Sequence, residues 1–271
     1  MKFAVSNIGL KPYDHIDDLE ALKKMGFEGL EVALSRAFFG DWNCPNSLQV
    51  EGYRRSIEAN GLSIVGLHSL FWDRPKYSMF GDTYVKTKTM DFLVKLSAMC
   101  RDLGGKTLIY GSRTARTKGK RTMKEANTEA ADFFDALCKR VEGHGTCFCI
   151  EPLETDVSDY VHSVLESQAI VKAVNHSALK VQIDAKAMAL ADEVQLDVFK
   201  SVRNDLVHVH VNEPGLDTLG SSGLVNHAKI GACLRDIGYE GFVSVEQKMS
   251  DETDPLIGIR KSARHLMECY K

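Results

Sequence analysis

Short β-branched runs alternate with longer stretches of helical period along the whole chain, and the alternation repeats eight times. The strand-like runs are Lys2–Ser6, Gly29–Leu34, Leu62–Leu67, Lys106–Tyr110, Cys147–Ile150, Lys180–Ile183, Leu206–Val211 and Phe242–Val245. The first helical stretch, Asp14–Met25, carries Ile16, Leu19, Leu22 and Met25 on one face. The others are Ser47–Asn60, Thr83–Leu103, Lys124–Glu142, Ser163–Val174, Ala187–Val202, His227–Ile237 and a closing helix from about Asp254 to Tyr270. Gly26, Gly61, Gly104 and Gly238 stand where a helix would end. An open doubly wound sheet is the rival, but no GxGxxG turn follows the first strand. Eight such units, with no Pro-, Gly- or Ser-rich linker between them, predict an α/β protein over residues 1–271: a single (β/α)8 TIM barrel domain.

Charge and cysteine content narrow the partners. The 271 residues carry 34 Lys+Arg against 37 Asp+Glu, a net charge of -3, so no nucleic acid is expected. No apolar run approaches the ~18–20 residues that span a bilayer, so no membrane partner is expected either. The start, Met1 to Asn7, reads as a strand rather than a signal peptide. Seven cysteines, odd in number and without a CxxC pair, point to reduced thiols and a cytoplasmic protein. One basic cluster, from Arg113 through Arg116, Lys118 and Lys120 to Arg121, reads either as a solvated loop or as an anion-binding loop beside an active site.

Barrel active sites are built where the strands end. The residues expected there include Ser6, Asn7, Glu31, His68, Gly111, Ser112, Glu151, Asp184, His210 and Glu246. Acids and imidazoles at a barrel mouth are costly to desolvate unless paired or bound to a cation. Glu151, Asp184, His210 and Glu246 follow apolar runs on four successive strands, and three carboxylates with one imidazole suit one divalent ion. Mn²⁺ is the first choice, with Mg²⁺, Co²⁺ and Zn²⁺ as alternatives. The bland alternative is that each acid caps a helix or pairs with a lysine.

The segments Ile150-Glu151-Pro152-Leu153, Gln182-Ile183-Asp184, Val207-His208-Val209-His210 and Ser244-Val245-Glu246 resemble the xylose-isomerase-like barrel superfamily. Within it, the chain is most similar to the sugar phosphate isomerase/epimerase group. The resemblance implies that Glu151, Asp184, His210 and Glu246 hold one metal, and that Glu151 and Glu246 also move protons. The expected function is therefore a metal-dependent isomerase or epimerase of a small polyhydroxylated carbonyl compound, with a carbohydrate as substrate. A metal-dependent lyase or dehydratase and a non-catalytic sugar-binding barrel are the rivals. Free-ketose epimerases of the superfamily carry Glu, His and Arg where this chain has Val157, Ala187 and Leu216, which argues against that particular activity.

Other residues could supply what those positions lack. His68, Lys186, Asn212, Glu213, Glu31 and Arg113 are the candidates for substrate contacts. Each also has an ordinary structural reading: His68 as a core histidine, Lys186 as the partner of Glu213, Glu31 as support for a ligand. His208 shares a strand face with His210 and could support it. His227 and Lys248 read as solvated surface. Trp42, Trp72, Phe38, Phe39, Phe71 and Phe80 fall in loops after the second and third strands, where a lid or a homo-oligomer contact is expected.

Overall fold

Eight parallel strands close on themselves in chain order. The computed structural model describes residues 1–271. The strands are β1 (Lys2–Ser6), β2 (Gly29–Ala33), β3 (Ser63–His68), β4 (Thr107–Tyr110), β5 (Cys147–Ile150), β6 (Leu179–Asp184), β7 (Leu206–Val211) and β8 (Phe242–Val245). The helices are α1 (Leu19–Lys24), α2 (Leu34–Ala37), α3 (Ser47–Ala59), α4 (Thr83–Asp102), α5 (Met123–Val141), α6 (Val164–Val174), α7 (Ala185–Leu190), α8 (Leu196–Val202), α9 (His227–Asp236) and α10 (Leu256–Tyr270). β8 returns to β1 with Phe242 opposite Lys2, which completes the ring. The (β/α)8 TIM barrel read from the alternation is thus the fold observed.

Side chains alternate across each strand, so one set fills the barrel and the other meets the helices. Val209, Val211, Val243 and Val245 are fully buried on one face. The other face of the same strands carries His208, His210 and Ser244, also with no exposed surface. Asp184 stands opposite His210, and His210 opposite Ser244, in the strand register. That register levels the ends of β6, β7 and β8 and fixes which residues meet at the mouth. Gly66 keeps the barrel wall tight, because a Cβ there would overlap the main chain of Thr107 on β4.

Most helices begin at a polar cap. Asn46 and Gln49 form a capping box at α3, Thr122 and Glu125 one at α5, and the Asp82 side chain accepts from Val85 N at α4. The stretch Ala187–Val202, expected as one helix, is two. Asp192 takes a left-handed φ of 55° there. Next to it, the Glu193 carboxylate accepts from the N–H groups of Val164 (2.7 Å) and Leu165 (3.3 Å), so it caps α6 rather than continuing its own helix. Asp14–Met25 shrinks to a 3-10 turn at Ile16–Asp18 followed by α1. All seven cysteines are free. No helix is long and apolar enough to cross a membrane.

The loop aromatics divide differently from the expectation. Trp42, Phe38, Phe71 and Phe80 are buried and join the core beneath the loops. Phe39 (84% exposed) and Trp72 (63%) alone of the six face outward.

Candidate metal centre

One donor atom each from Glu151, Asp184, His210 and Glu246 lies within 4.8 Å of all the others. Each carboxylate of this cluster is held by a neutral donor. Asp184 Oδ1 accepts from Ala187 N (2.8 Å) and its Oδ2 from Asn212 Nδ2 (2.6 Å). The same amide donates to Glu246 Oε2 at 3.1 Å. Gln182, two residues before Asp184 and so on its face of β6, donates from Nε2 to Glu151 Oε1 at 2.9 Å. These contacts fix the acids without neutralising them.

His210 is oriented from below. Its Nε2 lies 3.0 Å from both oxygens of Glu31, which also accepts from Ser244 Oγ at 2.7 Å. That carboxylate accepts from the Nε2–H, which leaves Nδ1 facing Glu151 (2.9 Å) and Glu246 (3.4 Å). Burial works against the charge on Glu31, yet His210 and His208 outweigh it and hold the carboxyl well below the usual range. Burial likewise opposes a proton on His210, but Glu31 and Glu246 hold its pKa well above that of a free imidazole. His208 Nε2 sits 3.1 Å from Glu31 Oε1 but off the line of a hydrogen bond, so its ring nitrogens are buried without a directed partner. Glu31 is fully buried beneath the cluster, which corrects its reading as a sugar contact and leaves the supporting one.

The donor set fits a divalent cation. Asp184 is pushed up to about 7 by burial first, then by Glu151 and Glu246 beside it. Three carboxylates crowded round one imidazole repel one another, and a hard or borderline dication with oxygen and imidazole ligands relieves that repulsion. Since Glu31 holds the His210 ring through Nε2, Glu31→Gln is expected to weaken divalent-ion affinity about 10–100-fold while the barrel stays folded. A calorimetric titration with Mn²⁺ reads this directly, and unchanged affinity would remove Glu31 from the supporting role.

Above the cluster opens a cavity of about 600 Å³. His68, Glu151, His210 and Glu246 form its inner part, and Ser69–Pro75 after β3 and Gly111–Thr114 after β4 form its walls. His68 donates or accepts at Ser6 Oγ (2.6 Å) and reaches Glu246 Oε1 at 3.5 Å, so it both packs in the core and borders the cavity. Arg113 lines the cavity wall. Lys186, Asn212 and Glu213 do not. Lys186 pairs with Glu154 rather than with Glu213. Asn212 is buried and committed to Asp184 and Glu246. Glu213 is fully buried elsewhere, where it accepts from Gly220 N (2.8 Å) and Ser222 Oγ and meets His227 Nε2 at 3.1 Å. His227 is therefore interior rather than surface, while Lys248 is exposed as expected.

Two residues escaped the sequence reading. Gln182 stands in the sequence only as a polar residue two places before Asp184. Arg116, taken with the basic loop, is fully buried. Its guanidinium donates to the main-chain carbonyls of Glu151 (2.5 Å) and Tyr110, and sits 5.7 Å from the Tyr110 ring centre. Nothing in a run of alternating basic residues marks the one that turns inward.

The structure is a closed barrel of eight parallel strands with an acid-and-imidazole cluster at their C-terminal ends, a donor set of the kind that suits one divalent ion. Residues 19–269 match the xylose isomerase-like TIM barrel family, and the chain belongs to it. Over 233 residues, 84% of this chain and 76% of the relative, it is 25% identical to the D-psicose 3-epimerase of Ruminiclostridium cellulolyticum. The crystal structure of D-psicose 3-epimerase with D-tagatose from Clostridium cellulolyticum H10 superimposes with a TM-score of 0.84 at 18% identity, covering 100% of both chains. The 3-keto-D-glucoside 4-epimerase of E. coli gives 0.82 at 18% identity, covering 99% of this chain and 100% of that one.

Proposed function

We propose that this protein is a divalent-metal-dependent sugar epimerase or isomerase that moves a proton at a carbon beside a carbonyl group. The observation that carries the reading is the meeting of Glu151 and Glu246 in one cluster, from strands three places apart in the ring. Two carboxylates so placed approach a bound substrate from different sides. The activities of the relatives, epimerisation of D-psicose and of a 3-keto-D-glucoside, support the same chemistry. Manganese as the ion and a cytoplasmic setting, the latter in keeping with seven free thiols, belong to the same proposal.

Glu151, Asp184, His210 and Glu246 would hold the divalent ion, which would supply polarisation of a carbonyl oxygen and so acidify the adjacent C–H. The residues do the rest. One of the two glutamates takes the proton and the other supplies one from the opposite side. Return to the other face of the same carbon gives an epimer, and return to the neighbouring carbon gives an aldose–ketose pair. Gln182 and Arg116 hold Glu151 by side chain and main chain, and Asn212 holds Glu246, so neither base has to be ordered during the reaction. The positions of Val157, Ala187 and Leu216 contribute nothing to the cavity, and the Ala187 N–H is spent on Asp184. A keto-sugar other than a simple free ketose fits this better.

The test is a deuterium-exchange screen with the Mn²⁺-loaded protein, covering free ketoses and 3-keto-glucosides in D₂O. Incorporation of one solvent deuterium at a carbon, with no loss of water, is the expected result. A product lighter by one water would make the protein a lyase, and no exchange with any sugar would count against catalysis at this cluster.

A further inference from the structure

We infer that the substrate of this site carries an anionic substituent, a phosphate or a carboxylate, and that Arg113 receives it. The inference rests on the reading of the cavity as a sugar-epimerase site and adds the chemical class of what enters it. The cavity is lopsided. Beyond the cluster itself, its lining comes from the loops after β3 and β4 and from Ile109, so the parts of a substrate remote from Glu151 and Glu246 meet that side.

Two guanidiniums stand on those walls. Arg74 is already matched: it bonds Asp73, reaches Asp41 at 3.3 Å, and lies 5.0 Å from the Trp42 ring centre. Arg113 has no carboxylate within ion-pair distance and no hydrogen bond to its guanidinium. Its main chain is nevertheless fixed, because its carbonyl accepts from Arg116 N (3.3 Å) and Thr117 Oγ1 (3.0 Å). The hydroxyls of Ser112 and Thr114, 3.1 Å from each other, stand on the same wall on either side of it in sequence.

Three others of the basic segment are spent elsewhere. Arg116 turns into the core, and Arg121 bonds Glu129 at 2.8 Å and the Phe80 carbonyl at 2.7 Å. Lys118 Nζ reaches only main-chain carbonyls, at 3.2 and 3.5 Å. Lys120 is also unpaired but lies outside the cavity, so Arg113 alone of the five lines it. An unpaired guanidinium recognises a planar or tetrahedral oxyanion through paired, charge-assisted hydrogen bonds, and a neutral sugar hydroxyl gains none of that charge. Three carboxylates around one dication also leave the inner part of the cavity net negative. An anionic substrate therefore needs a cation on the cavity wall, and Arg113, in the loop after β4, supplies it.

The experiment compares D-fructose, D-fructose 6-phosphate and 5-keto-D-gluconate as ligands of the Mg²⁺-loaded protein and of Arg113→Gln, by NMR titration. The wild type is expected to bind one of the two anions at least about ten-fold more tightly than fructose, with a preference that shrinks as salt is added. In Arg113→Gln that preference should fall to within about two-fold, and Arg113→Lys should restore part of it. The phosphate and carboxylate arms identify which anion is meant. No preference in the wild type overturns the inference, and so does a preference that survives in Arg113→Gln, which would belong to the bound ion alone. The outcome is separable from the epimerase reading. Deuterium exchange with neutral sugars and no anion preference would sink only the role of Arg113. An Arg113-dependent preference with no exchange on any sugar would sink only the epimerase.

Discussion

Glu246→Gln should lower turnover about a hundred- to ten-thousand-fold even when divalent metal is in saturating excess. The side chain accepts from Asn212 Nδ2 at 3.1 Å and lies 3.4 Å from His210 Nδ1 and 3.5 Å from His68 Nδ1. Burial raises the cost of its charge, but His210 and His68 more than compensate and hold its carboxyl far below the usual range. A glutamine keeps the volume and still accepts from Asn212, so the shape of the cavity survives. What it removes is the charge and the basic oxygen. The two proposed roles separate in the assay: a ligand role would appear as a weaker metal affinity, a proton-moving role as the turnover that excess metal fails to restore. Glu246→Ala takes away the ligand altogether. After Mn²⁺ loading and desalting, elemental analysis should find about one ion per chain in the wild type and far less in that variant, a larger loss than the ~10–100-fold of a supporting residue. Wild-type turnover of Glu246→Gln at saturating metal would leave Glu246 as a ligand only and require another proton carrier.

How far the site could be read from the sequence follows from the physics of each position. A parallel strand buried on both faces is a short apolar run, so β1, β5, β7 and β8 have the bounds that their sequences suggest. The strand-end rule then picks out Glu151, Asp184, His210 and Glu246 without any knowledge of side-chain direction, and the closed ring brings their donor atoms together. Supporting residues are harder. Glu31 is 179 positions from His210, and nothing in either segment says that the two meet. Glu213 directly follows Asn212 and yet serves the packing of α9 and α10 through His227 and Tyr270, because one step along a chain leaving a strand reverses the side it faces. Periodicity also hides a break such as that at Asp192, since apolar spacing continues across it while Glu193 is recruited to cap α6. Arg116 is the extreme case. A buried guanidinium that bonds only main-chain carbonyls has no partner that a pattern of charges could reveal.

That arginine makes a second large effect predictable, at a residue with no side chain. Gly111 follows β4, and a Cβ built on it would overlap the Glu151 carboxylate. Its backbone is not left-handed, so alanine brings no conformational strain. The obstacle is the far end of a flexible side chain, and the barrel can keep its fold by letting that carboxylate swing away. The Glu151 main chain cannot share the movement, because Arg116 clasps its carbonyl at 2.5 Å and that of Tyr110 across the same strand pair. All of the displacement therefore falls on the Glu151 carboxylate, which leaves both the Gln182 amide and its place near Glu246. A misplacement on the order of 1 Å in a reacting group costs about a hundred-fold in rate. Gly111→Ala is thus expected to lose about that factor in kcat while its unfolding free energy changes by less than ~1 kcal/mol. Rate assays alongside urea denaturation measure the two quantities on one sample. Retained activity would show that the Glu151 carboxylate works from a different position, and a collapse of stability would show that the main chain, not the carboxylate, had given way.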